Sequence, residues 1–413
     1  MKTWITYPSA ILVGYAAHLL LGDWVYYDQL LQVAVPFVRE LALFILFPVV
    51  FTLFAGATAS ARRHKETTVV FSLTVLWGLL TTLALSFGAM GLTMVFPQGF
   101  ASFSGGSANS IATNFFDFSN LKPLFLSENA FTQFTVSSIS LIPVIVLAFL
   151  VGITLRPDKE EIRPAYVVLN SFSEAMVRLA KIFTVLGIFF LMLISAQWFD
   201  SLSLTSLLSN SYWYLLGLAT LLVATLVVVL PIIYVIFTGF RGGSPWKVCF
   251  GAFGAMLASG FSGNLLYGTT TMMALSHQNN KVRKRANGIS IPLFTILGRG
   301  GSAMVATYTT IEVLKAIQGP LSQQTMIYIA LFSALFSFAA AFSPMFEVPF
   351  IVMMILQGFN YQSLEVVIGG LVILLPVIRL TSIFIDSAIA AYGSAFCSRV
   401  LSPKDRVPYR EMM

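Results

Sequence analysis

The stretch Cys249–Lys315, CFGAFGAMLASGFSGNLLYGTTTMMALSHQNNKVRKRANGISIPLFTILGRGGSAMVATYTTIEVLK, decides how this chain folds. Its first apolar part, Cys249 to His277, is long enough to cross a bilayer. Five glycines (Gly251, Gly254, Gly260, Gly263, Gly268) and a run of Ser, Thr and Asn interrupt it, so it makes a poor smooth helix. The second part, Ile289 to Leu314, is also apolar enough to cross. Gly298-Arg299-Gly300-Gly301 breaks it near its middle and puts a cation at the costliest depth. A charge on broken helix inside a membrane points to a functional site.

The composition around this stretch agrees. Of 413 residues, 57% are apolar, 14% aromatic and only 10% charged, and the mean hydropathy is +0.85. That excludes an ordinary soluble protein and predicts an all-α polytopic membrane protein. The net charge of +7 would suggest nucleic acid in a soluble domain. Here the basic residues cluster between apolar segments as topological signals, so no nucleic-acid partner is expected. Cys249 and Cys397 show no pairing pattern, and His18, His64 and His277 have no metal spacing. Lys2 and the apolar run to about Leu21 resemble a signal peptide but lack a small-x-small cleavage site before Asp23, which predicts a retained first span.

Apolar segments fall at 5–22, 36–60, 68–96, 134–155, 170–196, 212–239, 249–277, 287–315, 325–358 and 364–399. Basic linkers occur at Arg62-Arg63-His64-Lys65, Arg156 to Arg163, Arg241 to Lys247, Lys281 to Arg285 and Lys404 to Arg410. By contrast, 97–133 holds a single basic residue, Lys122, and 197–211, 316–324 and 359–363 hold none. The positive-inside rule then sorts the segments. If 249–277 crossed once, the strongest cluster, Lys281 to Arg285, would lie outside. If it enters and returns as a re-entrant hairpin, that cluster joins the others inside. The segment 325–358, broken by Ser343-Pro344-Met345-Phe346-Glu347-Val348-Pro349 and flanked by uncharged linkers, reads as a second hairpin opening outward.

The expected architecture is eight transmembrane helices plus two re-entrant hairpins, arranged as an inverted repeat with a site near the midplane. Both termini are expected in the cytoplasm and the chain in the cytoplasmic (inner) membrane. The alternative is that both interrupted segments are kinked ordinary helices. Pro376 predicts a bend in the last segment, beyond which Arg379, Ser382, Asp386 and Gly393 share one helical face. The stretch 97–133, rich in Gly, Ser, Asn and Phe, reads as an extracellular loop. Glu174, Arg178 and Lys181 read as a solvated or interfacial helix face.

Two intramembrane arginines, Arg299 and Arg379, and two carboxylates, Glu347 and Asp386, thus lie on elements expected to converge. Each needs a partner or a wet cavity. In one reading the guanidinium groups bind substrate carboxylates while Asp386 and Glu347 hold an ammonium group, a cation or a proton. In the other, the four form internal ion pairs that fix the helices. Gly298-Arg299-Gly300-Gly301 has neither the strand context of a dinucleotide fingerprint nor a phosphate-loop lysine, and no Gly-x-Ser-x-Gly motif is present. Neither an organic cofactor nor enzymatic activity is expected.

The order of FVRELALFILFPVVFTLFAGATAS (37–60), LIPVIVLAFLVGITL (141–155), LNSFSEAMVRLAKIF (169–183) and the two hairpins resembles the dicarboxylate/amino acid:cation symporter family, the glutamate/aspartate transporter fold. The resemblance implies a homotrimer in a lipid bilayer. Residues 1–240 would be mainly scaffold and trimerisation helices (spans 1, 2, 4 and 5), with spans 3 and 6 joining a sliding transport domain built on 241–413. It also implies elevator-type symport of a dicarboxylate or acidic amino acid, coupled to sodium or protons. Substrate would be held by Arg299, Arg379, Ser382, Asp386, Gly268, Thr269 and Pro349, with Asp386, Glu347 and Gly300 serving the coupling ion and the tips around Gly268 and Pro349 as gates.

The site motifs depart from the family pattern. At the first tip, Leu265-Leu266-Tyr267-Gly268-Thr269 keeps only Gly-Thr of a serine triplet followed by Gly-Thr, and Leu297-Gly298-Arg299-Gly300-Gly301 replaces Asn-Met-Asp-Gly-Thr. Arg379, Ser382, Asp386 and Ala390 stand for aspartate, arginine, asparagine and aspartate respectively. A fixed cation at Arg299 would repel sodium, which brings in proton coupling through Asp386 or Glu347. It also brings in a protein that has lost transport and serves as a ligand sensor or scaffold, or an anion channel.

Overall fold

The computed structural model describes residues 2–22, 24–95, 141–155, 160–202, 204–239, 243–340, 346–359 and 364–401. The loop expected at 97–133 and Ser343-Pro344-Met345 lie outside them, as does most of the tail. Among the described residues every regular element is helical. In chain order these are α1 (Thr3–Leu21), α2 (Val25–Arg63), α3 (Thr67–Thr93), α4 (Ile142–Thr154), α5 (Arg163–Asp200) and α6 (Leu204–Ala224). A π-turn, Thr225–Val229, joins α6 to α7 (Leu230–Phe237). Then come α8 (Pro245–Ser262), α9 (Leu265–Gln278), α10 (Lys284–Leu297), α11 (Gly300–Gln318), α12 (Gln323–Ala340), α13 (Glu347–Gly358) and α14 (Leu364–Val400).

Eight stretches are long and apolar enough to cross a membrane: Thr3–Leu21, Tyr26–Arg63, Thr67–Thr93, Arg163–Asp200, Ser211–Phe237, Lys284–Gln318, Gln323–Ala340 and Gly369–Val400. The expected number recurs, but with a different membership. The segment expected at 134–155 is described only as the 13 residues of α4, because 134–140 lie outside the described residues. In its place stands α12, the first half of the segment expected to double back. Helix α2, with 39 residues, is far longer than the expected 36–60. At 1.5 Å per residue it outreaches the roughly 30 Å hydrocarbon layer of a bilayer. Helix α14 runs unbroken through Pro376, whose carbonyl accepts the Trp198 indole N–H at 3.3 Å.

The glycine-rich stretch 249–277 forms two antiparallel helices. Helix α8 ends where Gly263 takes the left-handed conformation (φ +64), the backbone state that favours glycine. The Asn264 side chain then caps α9 by accepting the Leu266 N–H at 2.9 Å. The far ends of the pair meet as well: the Asn279 and Asn280 amides donate to the carbonyls of Gly251 (2.8 Å) and Val248 (3.1 Å). The chain therefore returns to where α8 began.

Contacts gather described residues of the basic linkers at 62–65 and 281–285, with the ends of α4 and α14, at that same end of the bundle. Arg285 pairs with Glu66 at 2.9 Å, next to Arg62–Lys65. Arg62 donates to the Ile153 carbonyl at the end of α4. The Arg283 N–H and guanidinium donate to Ser398 Oγ (2.9 Å) and the Leu401 carbonyl (2.6 Å) at the end of α14. The core sits on the broken pair α10–α11: 89% of its most apolar window is buried, against 17% for α1. This is the most interior of the eight membrane-crossing stretches, and it carries the helix break.

Candidate functional site

Helix α10 stops at Leu297 and α11 restarts at Gly300, leaving Gly298 and Arg299 outside helical geometry. The glycines are needed for closeness. A β-carbon at Gly301 would lie 2.2 Å from the Ser382 carbonyl, and one at Gly300 would lie 2.7 Å from Ile389 Cδ1. With α14 this near, the first backbone N–H groups of α11, which no helical carbonyl can satisfy, find a carboxylate. Asp386 Oδ1 accepts from the Gly301 N–H at 2.6 Å and the Ser302 N–H at 3.3 Å, and Oδ2 accepts from Ser302 Oγ at 2.7 Å. The positive end of a helix dipole favours an anion there.

Arg299 turns the other way. Its Nη1 forms an ion pair with Glu347 Oε1 at the start of α13, and Nη2 donates to the Thr295 carbonyl at 2.7 Å. Glu347 Oε2 lies 3.2 Å from Ser302 Oγ. One serine thus joins two carboxylates, and the helix break, α11, α13 and α14 meet in a single polar cluster. Exposure of Arg299, Glu347 and Asp386 is 3%, 6% and 0%, so the cluster is nearly dry and each charge depends on its partners.

Arg379 lies in a different place. It lines a cavity of about 420 Å³ with Arg39, Asp28, Gln197, Asp200 and Ser262, reached from α2, α5, the tip of the α8–α9 hairpin and α14. Its guanidinium carbon stands 5.4 Å from the Phe346 ring centroid, within the range of a cation–π contact. Arg39 Nη2 donates to Gln197 Oε1 at 3.5 Å, while its Nε has no protein partner. Asp200 lies 3.8 Å from His18 Nδ1. Arg379 feels the charges of both Arg39 and Glu347.

Of the residues singled out in the sequence, Arg299, Gly300, Glu347 and Asp386 come together at the helix break. Arg379 and Asp386 were expected to face one cavity. Asp386 is instead fully buried against α11, because seven residues carry it about 10 Å along the helix. Ser382 is buried; its Oγ donates to the Arg379 carbonyl at 3.2 Å. Gly268 allows the two hairpin arms to touch, since a β-carbon there would be 1.9 Å from Ser259 Oγ. Thr269 Oγ1 donates to the Leu265 carbonyl at 2.9 Å. Gly268 and Thr269 help line a void of about 10 Å³ with Ser259, Thr295, Ser387 and Ala390, room for roughly one water. Pro349 is buried in the first turn of α13.

Sequence reasoning passed over Ser302 and Arg39. The signal for Ser302 was its place in the first turn after the helix break, where side-chain hydroxyls meet anions. For Arg39 it was a cation inside the apolar run of α2.

A sequence model described as the sodium:dicarboxylate symporter family matches residues 5–402, nearly the whole chain. No curated protein matches it.

Proposed function

We propose, from the premise that the chain belongs to the sodium:dicarboxylate symporter family, that it moves a small organic anion across a membrane by secondary active symport. Members of that family are membrane transporters, so this protein is an integral membrane transporter and not an enzyme. The finer reading is ours: the solute is a dicarboxylate or an acidic amino acid, and access alternates as in an elevator. The α8–α9 hairpin, α10–α11, α12–α13 and α14 slide against a scaffold that includes α2 and α5. In this reading both hairpins are re-entrant, the protein is a homotrimer of the inner membrane, and its termini are cytoplasmic. The described residues of the basic linkers at 62–65 and 281–285, which meet at one end of the bundle beside the end of α14, support that orientation.

The observation that carries the proposal is the cavity beside the hairpin tip. Arg379 enters it from α14 and Arg39 from α2, so guanidinium groups on the moving and the fixed part face the same 420 Å³ space. Guanidinium groups suit carboxylates because their planar donor fork matches two oxygens. A volume of that order holds a small organic acid and its waters. An anion held between the two parts is released when they slide apart, which is what alternating access requires. Uptake of a panel of radiolabelled organic anions by proteoliposomes containing the purified protein tests this. Saturable uptake of a dicarboxylate or acidic amino acid, lost in Arg379→Ala, is expected. Unchanged uptake in that variant would remove Arg379 from the binding site.

A further inference from the structure

The cluster at the helix break has a charge count that its hydrogen bonds do not satisfy. Arg299 supplies one positive charge, whereas Glu347 and Asp386 supply two negative ones when both are ionised. Arg299 is committed to Glu347 Oε1 and the Thr295 carbonyl. Asp386 is held by the Gly301 and Ser302 N–H groups and by Ser302 Oγ, at 2.6, 3.3 and 2.7 Å. That same Ser302 oxygen lies 3.2 Å from Glu347 Oε2. A hydroxyl has one proton to donate. With both carboxylates ionised it serves Asp386 or Glu347 but not both, and one oxygen–oxygen contact at hydrogen-bond distance has no hydrogen in it.

We propose that this cluster binds one exchangeable proton, shared by Glu347 and Asp386 through Ser302, and that this proton rather than a sodium ion drives transport. The inference rests on the transport reading above and deepens it. A proton from water joins Glu347, the more exposed carboxylate. The resulting O–H donates to Ser302 Oγ while Ser302 donates to Asp386. Glu347 then passes its proton to Ser302 as Ser302 passes its own to Asp386, leaving Glu347 ionised beside Arg299 and Asp386 neutral. No proton is created or lost in the exchange, and release to water on the other side reverses the uptake.

Charge balance links the proton to the solute. Arg299, Arg379, Glu347 and Asp386 sum to zero with both carboxylates ionised, so the empty block crosses uncharged. A bound solute of net charge −1, such as an acidic amino acid, makes the sum −1, and one bound proton restores zero; a dicarboxylate with both groups ionised leaves one negative charge after the same proton binds. The other charges near this block are those of Arg39 on α2, which acts on Arg379, and of Asp28 and Asp200, which line the same cavity as the two arginines. Helices α3 and α12, which pack on α11, carry no charged residue. Farther along α11, Tyr308 and Glu312 face Tyr214, and Glu312 pairs with Lys315. Cys249 and Tyr392 face one another between α8 and α14. Lys247, His277, Lys284 and Arg285 lie at the basic end of the bundle. A sodium ion among the same oxygens would sit beside the Arg299 guanidinium and would have to part contacts already at hydrogen-bond length.

Proteoliposomes of the full chain, with radiolabelled acidic amino acids and four-carbon dicarboxylates as probes, test the proposal. An inside-alkaline pH gradient without sodium is expected to raise accumulation about tenfold or more over no gradient, and a sodium gradient at equal pH to leave it unchanged. Asp386→Asn keeps an oxygen for the Gly301 N–H but cannot hold the proton. It is expected to lose pH-driven accumulation and to make whatever counterflow remains independent of pH. Ser302→Ala is expected to slow pH-driven uptake relative to counterflow in the same vesicles. Accumulation that follows sodium and ignores pH overturns the proton assignment and leaves the anion-transport reading standing. Infrared difference spectra give a readout without flux: a carboxylic-acid C=O band that titrates in the wild type and is lost in Asp386→Asn. Absence of that band overturns the inference. A titrating band in a protein that carries none of the anions overturns the transport reading and the coupling role with it.

Discussion

Arg299, at the break between α10 and α11, and Arg379, within α14, are both arginines in apolar stretches of the chain, and their surroundings set them apart. Arg299 has its counter-charge built in: Glu347 and the Thr295 carbonyl occupy both terminal nitrogens, and water is nearly excluded. Arg379 opens on a cavity that it shares with Arg39. The contrast separates two uses of a buried cation. A guanidinium enclosed with a carboxylate holds helices together and sets a local charge, whereas one that lines a cavity presents its charge to whatever enters.

The sharpest way to break this comparison is to remove the built-in partner. Glu347→Ala strands Arg299 in a dry site and is expected to cost about 3–5 kcal/mol of stability, the usual penalty for an orphaned buried charge. Thermal unfolding of the purified protein in detergent reads it. Replacing both residues with methionine is expected to restore most of the loss, because apolar side chains of similar volume need no partner. If the double variant is as unstable as the single one, Arg299 and Glu347 do not act as a pair.

Arg379→Ala is expected to show the opposite profile. Anion affinity falls by about 2–5 kcal/mol if one partner of a desolvated charge pair is lost, roughly thirtyfold or more in the dissociation constant. Stability changes by less than about 1 kcal/mol, since the cavity admits water to the space left behind. A large loss of stability in this variant would erase the distinction between the two arginines. Arg39→Ala should fall between the extremes. Arg39 is half-buried and already donates to Gln197, so a loss of about tenfold in affinity is expected, worth about 1.4 kcal/mol. Equilibrium binding of the transported anion measures both.

The helix break and the hairpin were legible because each is a local signal. Gly298, Gly300 and Gly301 around a charge announce the break, and Gly263-Asn264 in a glycine-rich apolar run marks the turn between α8 and α9. The basic linkers could be assigned to one end because charge placement is a property of short segments. What joins the segments was not legible. Asp386 meets the backbone of Gly301, 85 positions away, and a backbone amide leaves no mark in the sequence. Ser302 looks like any serine until two carboxylates from other helices approach it. The length of α2 escaped notice because its continuous apolar run is 36–60, whereas Val25–Pro36 mixes Asp28, Gln29 and Gln32 with apolar residues.

The smallest effect is expected at the basic end, where Lys284 Nζ lies 2.7 Å from Glu174 Oε1 and 3.2 Å from Asn170 Oδ1. The distances rival those at the helix break, but the side chains are 28% and 57% exposed. Water then solvates both charges whether or not they touch, and each long side chain loses rotamer freedom by holding the contact. Such pairs contribute about 0.2–1 kcal/mol. Glu174→Gln should therefore shift unfolding by no more than that, and added salt should reduce the difference between variant and wild type. The Arg299–Glu347 pair, shielded from ions, should show almost no salt dependence. If Glu174→Gln proves as damaging as Glu347→Ala, burial is not what distinguishes these contacts, and the argument that places a structural cation at 299 and a binding cation at 379 loses its basis.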